Sequence, residues 1–203
     1  MTISLRDIQF KFGGKVVLER LSYHFTEGIY LISGESGSGK TTLLNLIKGF
    51  VHADTGEMER TGSISYMMQE TMLFSNLTVL ENYSLKYALY HEMNLEECKA
   101  MLLQEMKLIG LPEDLLTMKV SSLSGGQKRK LEVLLISCDS SDVILLDEPV
   151  ANLDKVSIQQ MATYIENHWS DEKTVIISSH SEIVFKGQVQ RLVLEEKKLR
   201  SAH

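Results

Sequence analysis

At 203 residues and 43% hydrophobic content, the chain is long enough to bury a substantial core and fits a single globular domain over residues 1–203. Charged residues make up 24% and the formal net charge is -6, which excludes the basic footprint that neutralises nucleic-acid phosphates; no nucleic-acid partner is expected. Two cysteines, Cys98 and Cys138, lie too far apart for metal-ligand spacing and are too few for a disulfide framework, so they read as reduced thiols.

The opening MTISLRDIQFKF alternates apolar and polar residues where a signal peptide would need an unbroken apolar stretch, so none is expected. The alternation predicts a strand over Ile3 to Phe10, short strands at Val16–Leu18 and Leu21–Phe25, and a turn at Gly13-Gly14, together an antiparallel β layer. Ile29 to Ser33 is a compact apolar strand, followed by a glycine-rich loop and a helix from Lys40 to about Lys48. Ser63 to Met68 reads as another strand. Val79–His91 and Leu95–Ile109 carry helical spacing, the second ending near Gly110-Leu111-Pro112. Residues 75–122, approximately, are thus an α-helical lobe inserted between sheet elements. Beyond it come a helix after Gly126, a buried strand Val143–Asp147, a helix Lys155–Trp169, a strand Thr174–Ser178, and a terminal hairpin of Val189–Leu194 with Lys197–Arg200. The longest apolar runs, such as Val133–Ile136 and Val143–Leu146, are far too short to cross a bilayer, so any membrane is met through a partner.

Gly34-Glu35-Ser36-Gly37-Ser38-Gly39-Lys40-Thr41 fits G-x-x-x-x-G-K-[ST], a loop whose backbone N–H groups turn inward around nucleotide phosphates. Lys40 would reach the β- and γ-phosphates, the Thr41 hydroxyl would ligate Mg²⁺, and Thr42 follows in the same turn. The helix start adds its positive dipole end. An accidental match to the four fixed positions occurs in roughly one chain in a hundred of this length. By itself the loop leaves GTPases, small-molecule kinases and many ATPases open.

Leu123-Ser124-Gly125-Gly126-Gln127 narrows the choice, because a chance match to five fixed positions arises in about one chain in several thousand. Physically it is a second set of backbone N–H groups and a serine hydroxyl at a helix start, or, read blandly, an ordinary helix cap. With this motif the chain resembles the ATP-binding cassette (ABC) family, whose other motifs follow in the same order over nearly the whole length. The resemblance implies an α/β fold: a P-loop NTPase three-layer core, an N-terminal antiparallel β layer and the inserted helical lobe. It also implies that two ATP molecules are sandwiched in a head-to-tail dimer, a homodimer or a heterodimer with another cassette, where Ser124, Gly125, Gly126 and Gln127 act in trans.

The strand Val143–Asp147 ends in Asp147-Glu148-Pro149, which projects two carboxylates from the C-terminal edge of a parallel sheet, where ligands bind. Asp147 would hold Mg²⁺ and Glu148 would polarise the attacking water as general base. By resemblance, Gln69 matches the family's Q-loop glutamine, which touches the Mg²⁺ sphere and connects it to the lobe. His180 matches the switch histidine at the γ-phosphate, and Asp154 in Asn152-Leu153-Asp154 matches the D-loop at the dimer interface. Phe12 corresponds to the aromatic residue that stacks on adenine, with Phe10 as its neighbour in competition. Departures from the pattern are Val150 in place of threonine, Ser181 in place of aspartate, a basic Lys128-Arg129-Lys130, and Leu131–Ser137 in place of an alanine-arginine-alanine segment. None removes a ligand or base, so a hydrolysis-competent site with ATP and Mg²⁺ as cofactors is expected.

The implied function is an ATP-hydrolysing subunit that energises a separate transmembrane permease, cytoplasmic and peripheral at the inner face of the cell membrane. Leu77 to Asn82 resembles the segment that begins the lobe in transporter ATPases, and the surface near Gln69 is the candidate for coupling. The small size agrees with a compact bacterial exporter. The alternatives are a soluble cassette ATPase on a non-membrane partner, a small-molecule kinase, which the LSGGQ and Asp-Glu motifs oppose, and a non-catalytic nucleotide sensor.

Overall fold

The alternating start folds into two long antiparallel strands, β1 (Ile3–Phe12) and β2 (Lys15–Phe25). β2 is one strand where the sequence suggested two. Register shifts along the β1 pairing and the left-handed backbone of Arg20 (φ 48°) carry the strand through Glu19-Arg20 as a bulge instead of a break. The computed structural model describes residues 2–92, 94–169 and 172–202.

Next come β3 (Gly28–Ser33), the phosphate loop, α1 (Lys40–Lys48), β4 (Thr55–Arg60) and β5 (Ile64–Met67). β4 has no counterpart in the sequence reading. Its residues TGEMER are mostly exposed and lack an apolar alternation, yet the strand pairs with β1 at the edge of a three-stranded sheet of order β2-β1-β4. The inserted stretch holds α2 (Val79–Tyr87), α3 (Leu95–Ile109) and two short 3-10 segments at Glu113–Thr117 and Val120–Ser122. Thr78 and Glu81 open α2 with a reciprocal capping box, and Asn94 caps α3 through the Glu97 amide. α2 stops before the expected His91, and the chain continues there as turns in which the His91 ring meets the Cys138 carbonyl at 3.0 Å.

The remaining elements are α4 (Gly125–Ser137), β6 (Val143–Asp147), α5 (Lys155–Trp169), β7 (Thr174–Ser178), β8 (Val189–Glu195) and β9 (Lys198–Ser201). They complete a six-stranded sheet of order β5-β6-β7-β3-β8-β9, parallel except for the edge strand β9. Because side chains alternate across a strand, each central strand feeds two cores. Tyr30, Ile32, Val143, Leu145 and Ile176 pack with Leu43, Leu44 and Ile47 of α1 beneath the antiparallel sheet. Their neighbours Ile29, Leu31, Ile144, Leu146, Val175 and Ile177 face the helices on the other side. That second core continues without interruption into residues 75–122 through Tyr83, Leu102, Met106 and Ile109. Each fully buried side chain of this kind contributes about 1.5–3 kcal/mol relative to exposure, which anchors the strand ends that carry the polar residues.

Candidate functional site

The loop between β3 and α1 is shaped by backbone conformations that side chains rarely tolerate. Gly34 has φ 152°, and a Cβ there would lie 2.6 Å from the Leu194 carbonyl oxygen of β8, so only glycine fits between the loop and that strand. Gly39 caps α1 in a left-handed conformation with no side-chain hydrogen bond to the helix start, and the first turn carries no acidic residue. The helix therefore presents its positive end and its leading amides to the loop interior. Lys40 is buried, and its Nζ donates to the carbonyl oxygens of Gly34 (2.8 Å) and Glu35 (3.0 Å), arching over the loop.

At the ends of β6 and β7, Asp147 is fully buried; its Oδ1 accepts a short hydrogen bond from the Ser178 hydroxyl, while Oδ2 has no hydrogen-bond partner. Burial first, then the Asp147 charge and the approach of the Tyr66 hydroxyl to that carboxylate, push the Tyr66 pKa upward. Glu148 occupies the left-handed region at φ 53°, a conformation that costs a non-glycine residue about 1–3 kcal/mol and that turns its side chain away from the strand direction. Its amide donates to the Ser178 carbonyl oxygen at 3.1 Å and to the Ser178 hydroxyl oxygen at 3.2 Å. The carboxylate is gripped by His180, whose Nδ1 lies 2.8 Å from Oε2 and whose backbone N–H donates to the same oxygen at 3.2 Å. Since a carboxylate only accepts, this contact sets the Nδ1-protonated imidazole.

These elements line one cavity of about 470 Å³, bounded by Phe12, Ser36, Gly37, Gly39, Lys40, Thr41 and Thr42 on one side and Gln69, Glu148 and His180 on the other. Phe12 is 77% exposed at its mouth, whereas Phe10 is partly buried against the core, so the ring available to a flat ligand is Phe12. Gly34, Glu35 and Ser38 form the outer flank of the loop, beside Val193–Lys197. None of Ser124, Gly125, Gly126, Gln127 or Asp154 lines the cavity. The signature instead caps its own helix: the Ser124 hydroxyl accepts from the Gln127 amide at 3.2 Å and Gln127 Oε1 accepts from the Ser124 amide at 2.8 Å. Asp154 likewise accepts from the Ser157 amide (2.9 Å) and hydroxyl (3.0 Å); these bonds hold its carboxyl below the usual range.

Among the described residues no group of three or more His, Cys, Asp or Glu side chains could cage a metal. A divalent cation is nevertheless compatible with this chemistry, because Asp147, which is buried and does not itself line the cavity, keeps an unpartnered hard oxygen, Oδ2, one residue before the cavity-lining Glu148. The Thr41 hydroxyl and the Gln69 amide are among the neutral oxygens that line the cavity, and with Asp147 they make a donor set that suits a Mg²⁺ ion whose other ligands are phosphate and water.

Sequence reasoning passed over two contributors. Ser178 bonds both Asp147 and Glu148 and is the last residue of β7, so its position beside a paired strand end was the available signal. Arg129 and Glu132 form a buried pair at 3.0 Å beneath the Gln69 segment; charges on a helix ordinarily read as solvated.

A family model described as ABC transporter matches residues 18–151. The cytochrome c biogenesis ATP-binding export protein CcmA of Roseobacter denitrificans is 32% identical over 90% of this chain and 86% of its own. The thiamine import ATP-binding protein ThiQ of Histophilus somni is 33% identical, covering 85% of this chain and 88% of its own. Among solved structures, a dimeric ATP-binding cassette in a post-hydrolysis state bound to ADP and Pi superposes with a TM-score of 0.81, at 24% identity and 98% coverage of both chains, which establishes the likeness of fold.

Proposed function

The chain belongs to the ABC transporter family by its ATP-binding part, and from that premise we propose that it binds and hydrolyses ATP to drive transport through a separate membrane-spanning permease. The observation that carries the proposal is the Glu148 carboxylate, fixed by His180 at 2.8 Å in the cavity that the phosphate loop also lines. The adenine ring stacks on Phe12, and the triphosphate follows the amides of Gly34–Thr42 to the positive end of α1. Lys40 leaves the Gly34 and Glu35 carbonyls for the β- and γ-phosphates. Thr41, Gln69 and Asp147 would hold Mg²⁺, which when bound would supply charge neutralisation to the phosphates. Glu148 accepts a proton from water as the water oxygen bonds to the γ-phosphorus and the bond to the β–γ bridging oxygen breaks, leaving ADP and inorganic phosphate. His180 keeps that carboxylate aimed.

Supporting a sandwich of two chains is the separation of Ser124–Gln127 from this cavity, since a helix start outside the site in cis is free to meet the γ-phosphate of a second copy or of a different cassette. Supporting a membrane partner is an apolar groove of about 410 Å³ beside Gln69, lined by Met68, Met72, Phe74, Leu85 and Leu89. Phe74 and Leu89 are well exposed there, as expected of a surface that another polypeptide covers. None of the described helices is long and apolar enough to cross a membrane. The two relatives named above are an export and an import protein, so both directions of transport stay open.

Light scattering after size exclusion, with and without ATP and Mg²⁺, tests this reading together with ATPase rates. Glu148→Gln should lower hydrolysis by about 10²- to 10⁴-fold, keep nucleotide affinity and accumulate an ATP-dependent dimer. An unchanged hydrolysis rate would overturn the assignment. In the assembled transporter, Leu89→Asp should uncouple ATP turnover from transport, and equal transport would remove the groove from the proposal.

A further inference from the structure

Gln69 stands on the segment that follows β5, whose Thr71 side chain bonds Glu132 of α4. What holds it is α4. Arg129, 9% exposed, donates from Nη1 to the Met68 carbonyl at 3.0 Å and from Nη2, in a short bond, to the carbonyl of Gln69 itself. The same Nη1 meets Glu132 Oε2 at 3.0 Å, and Glu132 Oε1 in turn accepts from the Met72 amide at 3.1 Å. One buried ion pair thus ties down the backbone on both sides of residues 70 and 71. Burial acts to raise the Glu132 pKa, and the Arg129 charge opposes it, so the pair depends on both members.

The location gives the pair more than a packing role. Arg129 lies little more than one turn into a helix that starts at Ser124, Glu132 forms part of the apolar groove wall, and Gln69 borders the nucleotide cavity. The bonds converge on one guanidinium whose planar fork can serve two carbonyls and a carboxylate at once; the point charge of a lysine cannot.

We propose that Arg129 is a positioning residue for ATP hydrolysis: braced by Glu132, it locks the Met68 and Gln69 backbone to α4, so that the signature end, the groove and the Gln69 amide move as one body. This rests on the functional reading above, in which Gln69 serves the Mg²⁺ sphere. Occupancy of the groove is then felt in cis through Gln69 and in trans through Ser124 by the same rigid link.

The test uses the full chain, with hydrogen exchange of peptides covering residues 68–74 and steady-state hydrolysis at varied ATP and Mg²⁺. Arg129→Lys should speed exchange in that segment at least about tenfold, because a lost clamp lowers the local opening free energy. It should also lower kcat about tenfold and raise the half-saturating Mg²⁺ concentration, with KM for ATP within about twofold. In a Gln69→Ala background the same substitution should change kcat less than about twofold, as expected for residues acting through one another. Arg129→Met with Glu132→Leu replaces the pair by apolar volume; it should keep the thermal midpoint and still lose kcat. Unchanged exchange at 68–74, multiplicative losses with Gln69→Ala, or recovery of kcat in the apolar pair would each overturn the proposal. If the wild type hydrolyses ATP no faster than Glu148→Gln, the functional reading itself fails, while the exchange measurement still decides whether Arg129 holds the segment.

Discussion

Two glycine-bearing segments open helices here, one before its helix and one within the first turn, and they treat the helix amides in opposite ways. The phosphate loop ends on Gly39, which offers no side chain to α1, so the leading N–H groups stay available. The signature places Ser124 at the N-cap of α4, where its hydroxyl and its partner Gln127 close a reciprocal box over the helix start. An anion site and a capped helix can therefore share the glycine-rich look of a sequence while differing in which donors are spare. The first loop is built to receive a ligand directly; the second is self-sufficient and needs a ligand brought against its remaining surface.

The largest test of this contrast is Gly34→Ala. The added Cβ would collide with the Leu194 carbonyl at 2.6 Å in a backbone region reserved for glycine, so ATP affinity should fall by about 100-fold or more, roughly 2.7 kcal/mol, in an equilibrium titration. Retained affinity would mean that the loop tolerates a different shape. Ser124 separates capping from ligand contact. Ser124→Ala removes the cap and should cost about 1 kcal/mol, a fall in Tm of roughly 2–4 °C. Ser124→Asp restores a cap of equal quality, yet sets a negative charge where a partner's phosphate would arrive. If the aspartate variant recovers Tm but hydrolyses ATP as poorly as the alanine variant or worse, the serine serves both purposes; full recovery of activity would leave it a cap alone.

A pair remote from both loops supplies the control. His168 on α5 meets Glu105 on α3 at 3.2 Å. That hydrogen bond raises the imidazole above its ordinary 6.5, so its contribution is full below that value and is lost as pH rises through the raised one. Burial works to raise the Glu105 pKa, but hydrogen bonds from His168 and Tyr164 bring it below its ordinary 4.5, so the contribution is also lost as pH falls through that lowered value. His168→Gln should therefore cost stability chiefly between these limits, by under about 1 kcal/mol given its partial exposure. Nucleotide affinity should not change, and a change would show that both loops respond to stability in general.

Much of the architecture was legible because period and burial agree. α3, β6, α5 and β7 have the bounds that apolar spacing predicts, and the glycine-lysine loop shares one cavity with Glu148, while Asp147 lies buried behind it. β4 was not legible, since an exposed polar edge strand is held by backbone pairing to β1 and leaves no apolar signature. Nor was the Arg129–Glu132 pair, because a charged residue on a helix gives no sign of burial until α4 is seen wedged under the Gln69 segment. The left-handed backbone of Glu148 was equally hidden: the letters Asp-Glu-Pro specify two acids, but the turn that aims the second one is fixed by Ser178 from another strand.

The wall behind Gly34 also bears on how the protein is made. β3 sits between β7 and β8, and the Ser33 hydroxyl reaches the Leu192 carbonyl across 159 positions of sequence. A nascent chain that has already exposed its glycine-rich loop still lacks both flanking strands, so the loop cannot take its final shape until β8 has left the ribosome. Such long-range closure favours slow folding, and it makes the shape of the glycine-rich loop a product of distant pairing and not of local sequence.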